Sequence, residues 1–260
     1  MREAVLFLCH LVNDKMLWRY AKLKEDLSGL CDVYWVFQTD NDISDAELHK
    51  SGVRIFEFSL DELKALNYTP IAKNLIPGSL HHVTLYFYQQ HPEYDHFWFV
   101  ENDVIFTGNW DNLVRGFVTV DADFITSCIG KRNDQNNNWT WWTSLKLGTD
   151  QEKAFESLLR SFNPIYRISR RALAYLDRLL RQPEVKGHAE VLVPTLLYYG
   201  GFRIIDFGGT GTFVPKEYRN CFYIQDDHPI ASTFRWRPAF SRQEVEGKDI
   251  KGKLFHPVKC

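Results

Sequence analysis

The amino-acid sequence predicts an α/β protein with a mixed, mainly parallel central sheet that is flanked by helices in a single domain. Two observations carry this prediction. Short continuous apolar runs alternate with segments whose apolar residues recur at helical spacing, which is the element order of α/β folds. The runs also end abruptly in polar residues, as is typical of strands that are covered on both faces.

The composition favours one core and excludes nucleic-acid binding. The chain has 260 residues, 45% of them hydrophobic, and a net charge of -2 from 31 basic and 33 acidic side chains. A chain of this length buries one large core, and near-neutral charge gives no attraction to nucleic acid. The five cysteines are odd in number and lack paired or zinc-type spacing, so we expect reduced thiols.

No part of the sequence has the length and hydrophobicity of a membrane span. The apolar segment before His10 is also too short for a signal peptide. We therefore expect a soluble, cytoplasmic protein without a transmembrane segment. Peripheral association with a membrane stays open at this point.

The first half of the chain begins as a nucleotide-binding α/β unit would. Apolar runs predict strands at residues 4–8, 33–37 and 53–58, and helical periodicity predicts a helix over 18–27. A proline–glycine break precedes Ser79, which we expect to cap a helix.

The second half has the same alternation. Strands are predicted at 123–127 and 203–207, and Ser169 is a candidate N-cap of a helix between them. A further apolar helix is expected to start near 191–193, because Pro194 is tolerated only in a first turn. From residue 208 onward the sequence predicts irregular structure.

The most informative segment is the apolar run of residues 96–106, which is interrupted by Glu101 and Asp103. Ligands in parallel sheets gather at the carboxyl ends of the strands, where these two carboxylates would emerge together. Hard oxygen ligands of this kind suit Mg²⁺ or Mn²⁺ that holds substrate phosphates. The alternative is a solvated turn or a helix cap, which acidic pairs also form.

These features resemble the GT-A class of glycosyltransferases, which have a Rossmann-like nucleotide-binding half and an Asp-x-Asp-type motif after a strand. Here the motif is Glu101-Asn102-Asp103. Together with the Gly-x-Trp sequence at 108–110, it resembles a branch of this class whose members have an acid-x-Asp-Val motif and a Gly-x-Trp. The resemblance implies a divalent cation bound by Asp103, with Glu101 meeting the metal or the ribose. It also implies that His256 is a further metal ligand. A tail histidine bonded to backbone is an equally acceptable interpretation of His256.

The resemblance further implies an acidic catalytic residue at a helix start, and Glu190 occupies that place in the chain order. If the reaction inverts configuration, Glu190 would take the proton of the acceptor hydroxyl. Carboxylates also cap helices routinely, so a purely structural role stays open.

Four polar residues are candidates for binding the nucleotide. His10 and Asp40 follow the first two strands, where a nucleoside would lie. Arg235 and Arg237 have the fork-shaped donors that bind phosphate, although their alternation with aromatic residues is also typical of an edge strand.

A strongly polar stretch at 131–138 runs into three tryptophans, Trp139, Trp141 and Trp142, and predicts a loop. Their rings could stack on an acceptor sugar, or pack the loop onto the core.

The predicted function is therefore metal-dependent transfer of a sugar from a nucleoside-diphosphate sugar to a carbohydrate or other hydroxyl acceptor. Residues 1–110 would form the nucleotide-binding half, 111–207 the acceptor-side half, and 208–260 a tail that closes the site. Three alternatives stay open: a sugar-phosphate nucleotidyltransferase, a glycoside hydrolase that uses Glu101 and Glu190, and a carbohydrate-binding protein without turnover.

Overall fold

The structure of the chain is a computed structural model that describes residues 1–40, 46–133, 135–148, 157–226 and 230–259. The strands within these ranges are β1 (Glu3–Leu8), β2 (Cys31–Gln38), β3 (Ile55–Phe58), β4 (His96–Glu101), β5 (Ile105–Phe106), β6 (Phe124–Lys131), β7 (Lys146–Leu147), β8 (Leu159–Ser169), β9 (Val185–Lys186), β10 (Ile204–Asp206) and β11 (Leu254–Phe255). The helices are α1 (Asp14–Asp26), α2 (Ala46–Lys50), α3 (Leu60–Ala65), α4 (His81–Gln90), α5 (Trp110–Val118), α6 (Arg170–Leu180), α7 (Ala189–Tyr199) and α8 (Arg242–Gly247).

Seven strands form one mixed sheet in the order β10-β6-β8-β4-β1-β2-β3. Every pair is parallel except the two pairs that β8 makes with β4 and β6. The predicted α/β class, with a mainly parallel sheet between helices, is confirmed. Because β1 lies between β2 and β4, the connections diverge there, and such a switch point opens a crevice at the strands' carboxyl ends.

The two faces of the sheet carry separate apolar clusters, and alternation along β4 decides which face the acidic motif joins. Phe97 and Phe99 pack with side chains of α4, α6 and α7, whereas Trp98 and Val100 pack with those of α1 and α5. Since strand residues alternate between faces, Glu101 belongs to the same face as Phe97 and Phe99. The motif therefore begins on the face covered by α4, α6 and α7.

The long strand β8 has no counterpart in the sequence prediction, because its buried side chains are partly polar. Arg167, near the end of this strand, is 0% exposed. Its guanidinium donates to both carboxylate oxygens of Glu3 on β1, at 2.6 and 3.1 Å. A charge that is paired in this way can occupy a core position where an apolar residue would be expected.

Three predicted helix starts have different outcomes. Ser169 caps α6 as expected, since its hydroxyl accepts from the Ala172 N–H. The prediction for Ser79 is wrong: α4 begins after Leu80, and the Ser79 hydroxyl instead accepts from the Ile71 N–H at 3.4 Å. Helix α7 begins at Ala189, before the predicted 191–193, because the His188 ring accepts from the Glu190 N–H and caps it.

Residues 208–226 and 230–259 contain more regular structure than the sequence predicts. Ser241 caps the short helix α8 through a reciprocal capping box with Glu244. Strand β11 then pairs with β5, directly after the acidic motif. No helix in the part of the chain that the structure describes is long and apolar enough to cross a membrane.

Candidate functional site

The acidic motif lies on a turn that connects β4 to β5. Glu101 is the last residue of β4, and its carbonyl accepts from the Val104 N–H at 3.1 Å. The buried Arg19 side chain donates to the Asn102 carbonyl from the other side of the turn. Both contacts hold the backbone between the two acids, so the acids are presented from a fixed turn.

The tail brings His256 to this turn. In the antiparallel β5–β11 pair, Phe255 lies opposite Ile105, the first residue of β5. His256 therefore extends beyond the beginning of β5, towards Asp103. The Val258 N–H donates to the Asp103 carbonyl at 2.9 Å and fixes the register. Residues more than 150 positions apart in the chain thus share one site.

Glu101, Asp103 and His256 each offer a ligand atom, and these atoms lie within 4.8 Å of one another. His256 Nε2 and Asp103 Oδ1 lie 3.4 Å apart. His256 Nδ1 lies 2.8 Å from the Arg235 carbonyl, which can only accept, so Nδ1 carries the proton. In the neutral imidazole, Nε2 then presents a lone pair to a carboxylate oxygen.

Burial favours the neutral form of this imidazole. It lowers the pKa of His256, against the smaller opposing effect of the Asp103 charge, and the residue is 6% exposed. Asp103 Oδ1 is itself buried and accepts no hydrogen bond from any residue that the structure describes. Two acceptor atoms therefore face each other in a buried place, which is unfavourable unless a cation joins them.

The three side chains fit a divalent cation. Two carboxylates and one imidazole are ligands that suit Mn²⁺ or Mg²⁺. The Arg235 carbonyl accepts from His256 Nδ1, as metal-binding histidines usually donate their other ring N–H to a carbonyl or carboxylate. Burial, followed by the Asp103 charge, raises the pKa of Glu101 to about 8. A cation beside Glu101 would reverse that effect and favour its ionised form.

The three side chains open into a cavity of about 1040 Å³. Its lining also includes Glu190, the rings of Trp139 and Trp141, and the side chains of Arg235 and Arg237. Eight of the eleven predicted site residues therefore line one cavity. His10, Asp40 and Trp142 do not.

Glu190 lies in the first turn of α7 with its carboxylate largely buried, at 17% side-chain exposure. The Asn163 N–H points at its Oε1 from 3.4 Å, and His188 Nδ1 lies 3.7 Å from its Oε2. Burial raises the pKa of Glu190 to about 7, opposed by the Asn163 contact and by the charge of Arg160. The carboxyl can thus exchange a proton near neutral pH.

The tryptophans differ in their surroundings. Trp141 stacks on the His188 ring, with centroids 4.1 Å apart and planes at 17°. Trp142 is 4% exposed and packs with Leu158 and Val191, and its indole N–H donates to the Asn136 carbonyl at 2.8 Å. A role for Trp142 in acceptor binding stays a prediction, but its ring lies in the core.

Arg235 holds the tail loop together. Its guanidinium donates to the carbonyls of Ile230, Ser232 and Pro238 and lies 3.8 Å from the centroid of the Phe240 ring. Its donors are thus largely occupied, and phosphate binding by Arg235 stays a prediction. Arg237, by contrast, is exposed at the edge of the cavity.

His10 and Asp40 follow the ends of β1 and β2. His10 is exposed, and the Asp40 carboxylate accepts from the Leu60 N–H at the start of α3. Neither lines the cavity, and their roles in nucleotide binding stay predictions.

Sequence reasoning missed three residues of the site, Arg160, Asn163 and His188. Arg160 and Asn163 lie on β8, the strand without an apolar pattern, so no signal pointed to them. A histidine directly before a predicted helix start was a signal for His188, because N-cap positions favour side chains that accept hydrogen bonds.

Comparison with known proteins gives similar folds only. No protein-family profile matches the chain, and no curated protein matches its sequence. Among solved structures, an inositol-1-phosphate CTP transferase from T. maritima is similar at a TM-score of 0.43 and 12% identity, over 83% of this chain and 90% of that one.

Two glycosyl-transferring proteins are also similar. A glucosyl-3-phosphoglycerate synthase from Mycobacterium tuberculosis, solved with Mn²⁺, UDP and phosphoglyceric acid, has a TM-score of 0.43 and 15% identity over 79% of this chain and 67% of that one. A mannosyltransferase from Pyrobaculum calidifontis, solved with GDP-Man and Mn²⁺, has a TM-score of 0.46 and 12% identity over 84% of this chain and 58% of that one. Similarity at this level assigns no activity, which must be argued from the cavity itself.

Proposed function

We propose that the chain is a metal-dependent glycosyltransferase, which moves a sugar from a nucleoside-diphosphate sugar onto a hydroxyl of a glycan or other acceptor. One observation carries the proposal: Asp103 Oδ1 and the lone pair of His256 Nε2 face each other at 3.4 Å, with Glu101 beside them. A divalent cation held by these side chains would satisfy them and would bind a diphosphate.

Asp103, Glu101 and His256 would hold Mn²⁺ or Mg²⁺ in this proposal. When bound, the cation stabilises the negative charge that develops on the departing diphosphate. The Arg235 carbonyl keeps the His256 ring in the tautomer that binds metal through Nε2. Arg237 at the edge of the cavity supplies a further positive charge for phosphate.

Glu190 is the proposed base for the acceptor hydroxyl. A pKa of about 7 leaves a large ionised fraction at neutral pH while keeping the carboxylate basic. The Asn163 N–H contacts the carboxylate oxygen Oε1, and the His188 ring caps the turn of α7 that carries Glu190. Trp139 and Trp141 would flank the acceptor sugar, since both rings line the same space.

The proposed division of the chain follows from this arrangement. Residues 1–110 would form the nucleotide-binding half, because they contain the switch point between β1 and β4. Residues 111–207 would hold the acceptor, since they include Glu190 and the tryptophans. Residues 208–260 would close the site, which is supported by the pairing of β11 with β5.

A glycoside hydrolase is the second candidate function, and one observation favours it. Glu101 and Glu190 line the same cavity and both have raised pKa values, as the acid of such a pair requires. Hydrolysis of an oligosaccharide without any nucleotide would support this candidate. Dependence on both nucleotide and metal would exclude it.

The proposal is tested by thermal unfolding with UDP, GDP, CDP and dTDP, each with Mn²⁺ and with a chelator. We expect one nucleotide to stabilise the protein only with Mn²⁺, by about 2.7 kcal/mol when its concentration is a hundredfold above Kd. Asp103→Asn should abolish the gain. Asp249→Asn is the matched control, because Asp249 is exposed and does not line the cavity of the acidic motif. Equal stabilisation in chelator would contradict the proposal.

A further inference from the structure

A second, smaller cavity adjoins the first. It has a volume of about 360 Å³, and we call it the amide cleft after its lining residues, Asn133, Gln135, Asn136, Asn138, Trp139 and Arg160. Trp139 and Arg160 line both cavities, so these two side chains separate the cleft from the space in front of Glu190.

The amide cleft is built on a turn that the core holds in place. Asn133 and Asn136 exchange reciprocal hydrogen bonds of 3.0 and 3.1 Å between backbone N–H groups and side-chain carbonyls. The Asn136 side chain also donates to the Lys131 carbonyl at 2.8 Å, at the end of β6. The Asn136 carbonyl accepts the indole N–H of the buried Trp142. The cleft is therefore preorganised, which lowers the entropic cost of binding.

Two carboxamides of the cleft have no hydrogen bond to any residue in the described part of the chain. Gln135 and Asn138 are exposed, and their side chains make no hydrogen bond within the described ranges. Each carboxamide offers both donors and an acceptor, which can pair with neighbouring hydroxyl groups. These side chains are thus available to a ligand without any rearrangement of the turn.

Arg160 links the cleft to the proposed reaction site. It is half-buried on β8, and its guanidinium makes no hydrogen bond or ion pair within the part of the chain that the structure describes. Its charge nevertheless acts on Glu190, where it lowers the pKa against the larger effect of burial. A ligand that reaches from Glu190 to the cleft would pass this guanidinium.

The chemistry of the cleft favours a neutral, hydroxyl-rich ligand. Its described lining holds four carboxamides, one indole and one guanidinium, and no carboxylate. A single positive charge is too little for a polyanion, whose binding needs several phosphate contacts. Amides together with an aromatic face match the hydroxyls and the C–H face of a sugar ring.

We propose that the amide cleft binds the second sugar of an oligosaccharide acceptor whose first sugar lies beside Glu190. The inference rests on the proposed function, since it takes Glu190 as the place of transfer. It narrows the acceptor class to chains of at least two sugars, with Trp139 and Arg160 between the two subsites.

The test measures how the affinity for a saccharide depends on its length, in the absence of nucleotide and metal. Saturation-transfer NMR gives the Kd of the mono-, di- and trisaccharides of glucose, galactose, mannose and N-acetylglucosamine for the wild-type chain. We expect the disaccharide of at least one series to bind about tenfold more tightly than its monosaccharide, since two further hydrogen bonds contribute about that factor.

Variants test whether the cleft is the cause of the tighter binding of the disaccharide. The double variant Gln135→Ala, Asn138→Ala should bind the disaccharide no better than the monosaccharide, while Gln243→Ala, at an exposed glutamine outside both cavities, should retain the difference. Equal affinity for both lengths in every series, absence of sugar binding, or an unchanged double variant would each overturn the inference. Nucleotide binding with Mn²⁺ would survive these outcomes, so the two proposals fail separately.

Discussion

The indole ring of Trp141 lies almost parallel to the imidazole ring of His188, with 4.1 Å between their centroids and 17° between their planes. His188 also caps α7 by accepting the Glu190 N–H at 3.2 Å. An aromatic side chain from the polar loop region is thereby connected to the proposed base through one histidine. The stack holds the ring that orients the first turn of α7.

Trp141→Ala should therefore impair Glu190 more than it impairs folding. Loss of the stack removes about 0.5–1.5 kcal/mol of interaction energy that holds the His188 ring in place. We therefore expect kcat/KM for sugar transfer to fall up to about tenfold. Trp141→Phe should restore most of it. Trp18→Ala is the control, since Trp18 is half exposed and does not line the cavity that contains Glu190. An equal loss in both alanine variants would argue against the link.

The pH dependence of transfer should follow the ionisation of Glu190. Its pKa of about 7 means that the carboxylate form is lost as the pH falls, so kcat should decrease about tenfold per unit below that value. Glu190→Gln should remove both the activity and this slope. A pH-independent rate between pH 5 and 7 would exclude Glu190 as the base.

The same carboxyl has an opposite effect on stability. Because its pKa rises from 4.5 when unfolded to about 7 when folded, the folded state binds the proton more tightly. The free energy of unfolding should then fall as pH rises across this range, by about 3 kcal/mol relative to Glu190→Gln. Urea unfolding of both proteins at pH 5 and 8 measures it. If the two proteins differ in unfolding free energy by the same amount at both pH values, burial does not shift the pKa of Glu190.

Arg235→Met should loosen the tail. The change removes charge-assisted bonds to the carbonyls of Ile230, Ser232 and Pro238, and we expect a loss of about 3 kcal/mol in urea unfolding. Weaker Mn²⁺ binding should follow, since the Arg235 carbonyl orients His256. Arg237→Met serves as the comparison, because Arg237 is exposed. Similar unfolding curves for the two variants would contradict the anchoring role.

The buried ion pair of β8 gives a prediction for the fold alone. Glu3→Gln leaves the Arg167 guanidinium, which is 0% exposed, without its counter-charge and should cost about 3–5 kcal/mol. Thermal unfolding measures the loss. The exposed pair of Arg242 and Glu246 should contribute less than about 1 kcal/mol. A loss for Glu3→Gln no larger than that for Glu246→Gln would contradict the account of β8.

The two strands that carry the site differ in how far the sequence predicts them. Strand β4 was predicted because its apolar run stops at Glu101, and burial on both faces leaves that pattern in the sequence. Strand β8 was missed because Arg160, Asn163 and Arg167 interrupt the apolar pattern, and only contacts distant in sequence, such as the one with Glu3, make such a segment stable. Periodicity does not record such contacts.

The residues of the candidate site also differ in how far the sequence predicts them. Glu101 and Asp103 follow from a local pattern, whereas His256 was proposed only from the resemblance to glycosyltransferases. Its position beside Asp103 depends on the pairing of β11 with β5, which no local pattern predicts. The amide cleft likewise needs Asn133 and residues 135–138 to lie beside Arg160 of β8, and sequence alone indicated only a polar loop.

The most direct test of the central claim is a titration of Mn²⁺ against the wild-type chain and Asp103→Asn, with free Mn²⁺ measured by electron paramagnetic resonance. We predict a single site in the wild type, and affinity at least about a hundredfold lower in the variant, as expected when a ligand rather than its outer partner is changed. Equal Mn²⁺ binding by both proteins, or none by the wild type, would contradict a metal centre formed by Glu101, Asp103 and His256.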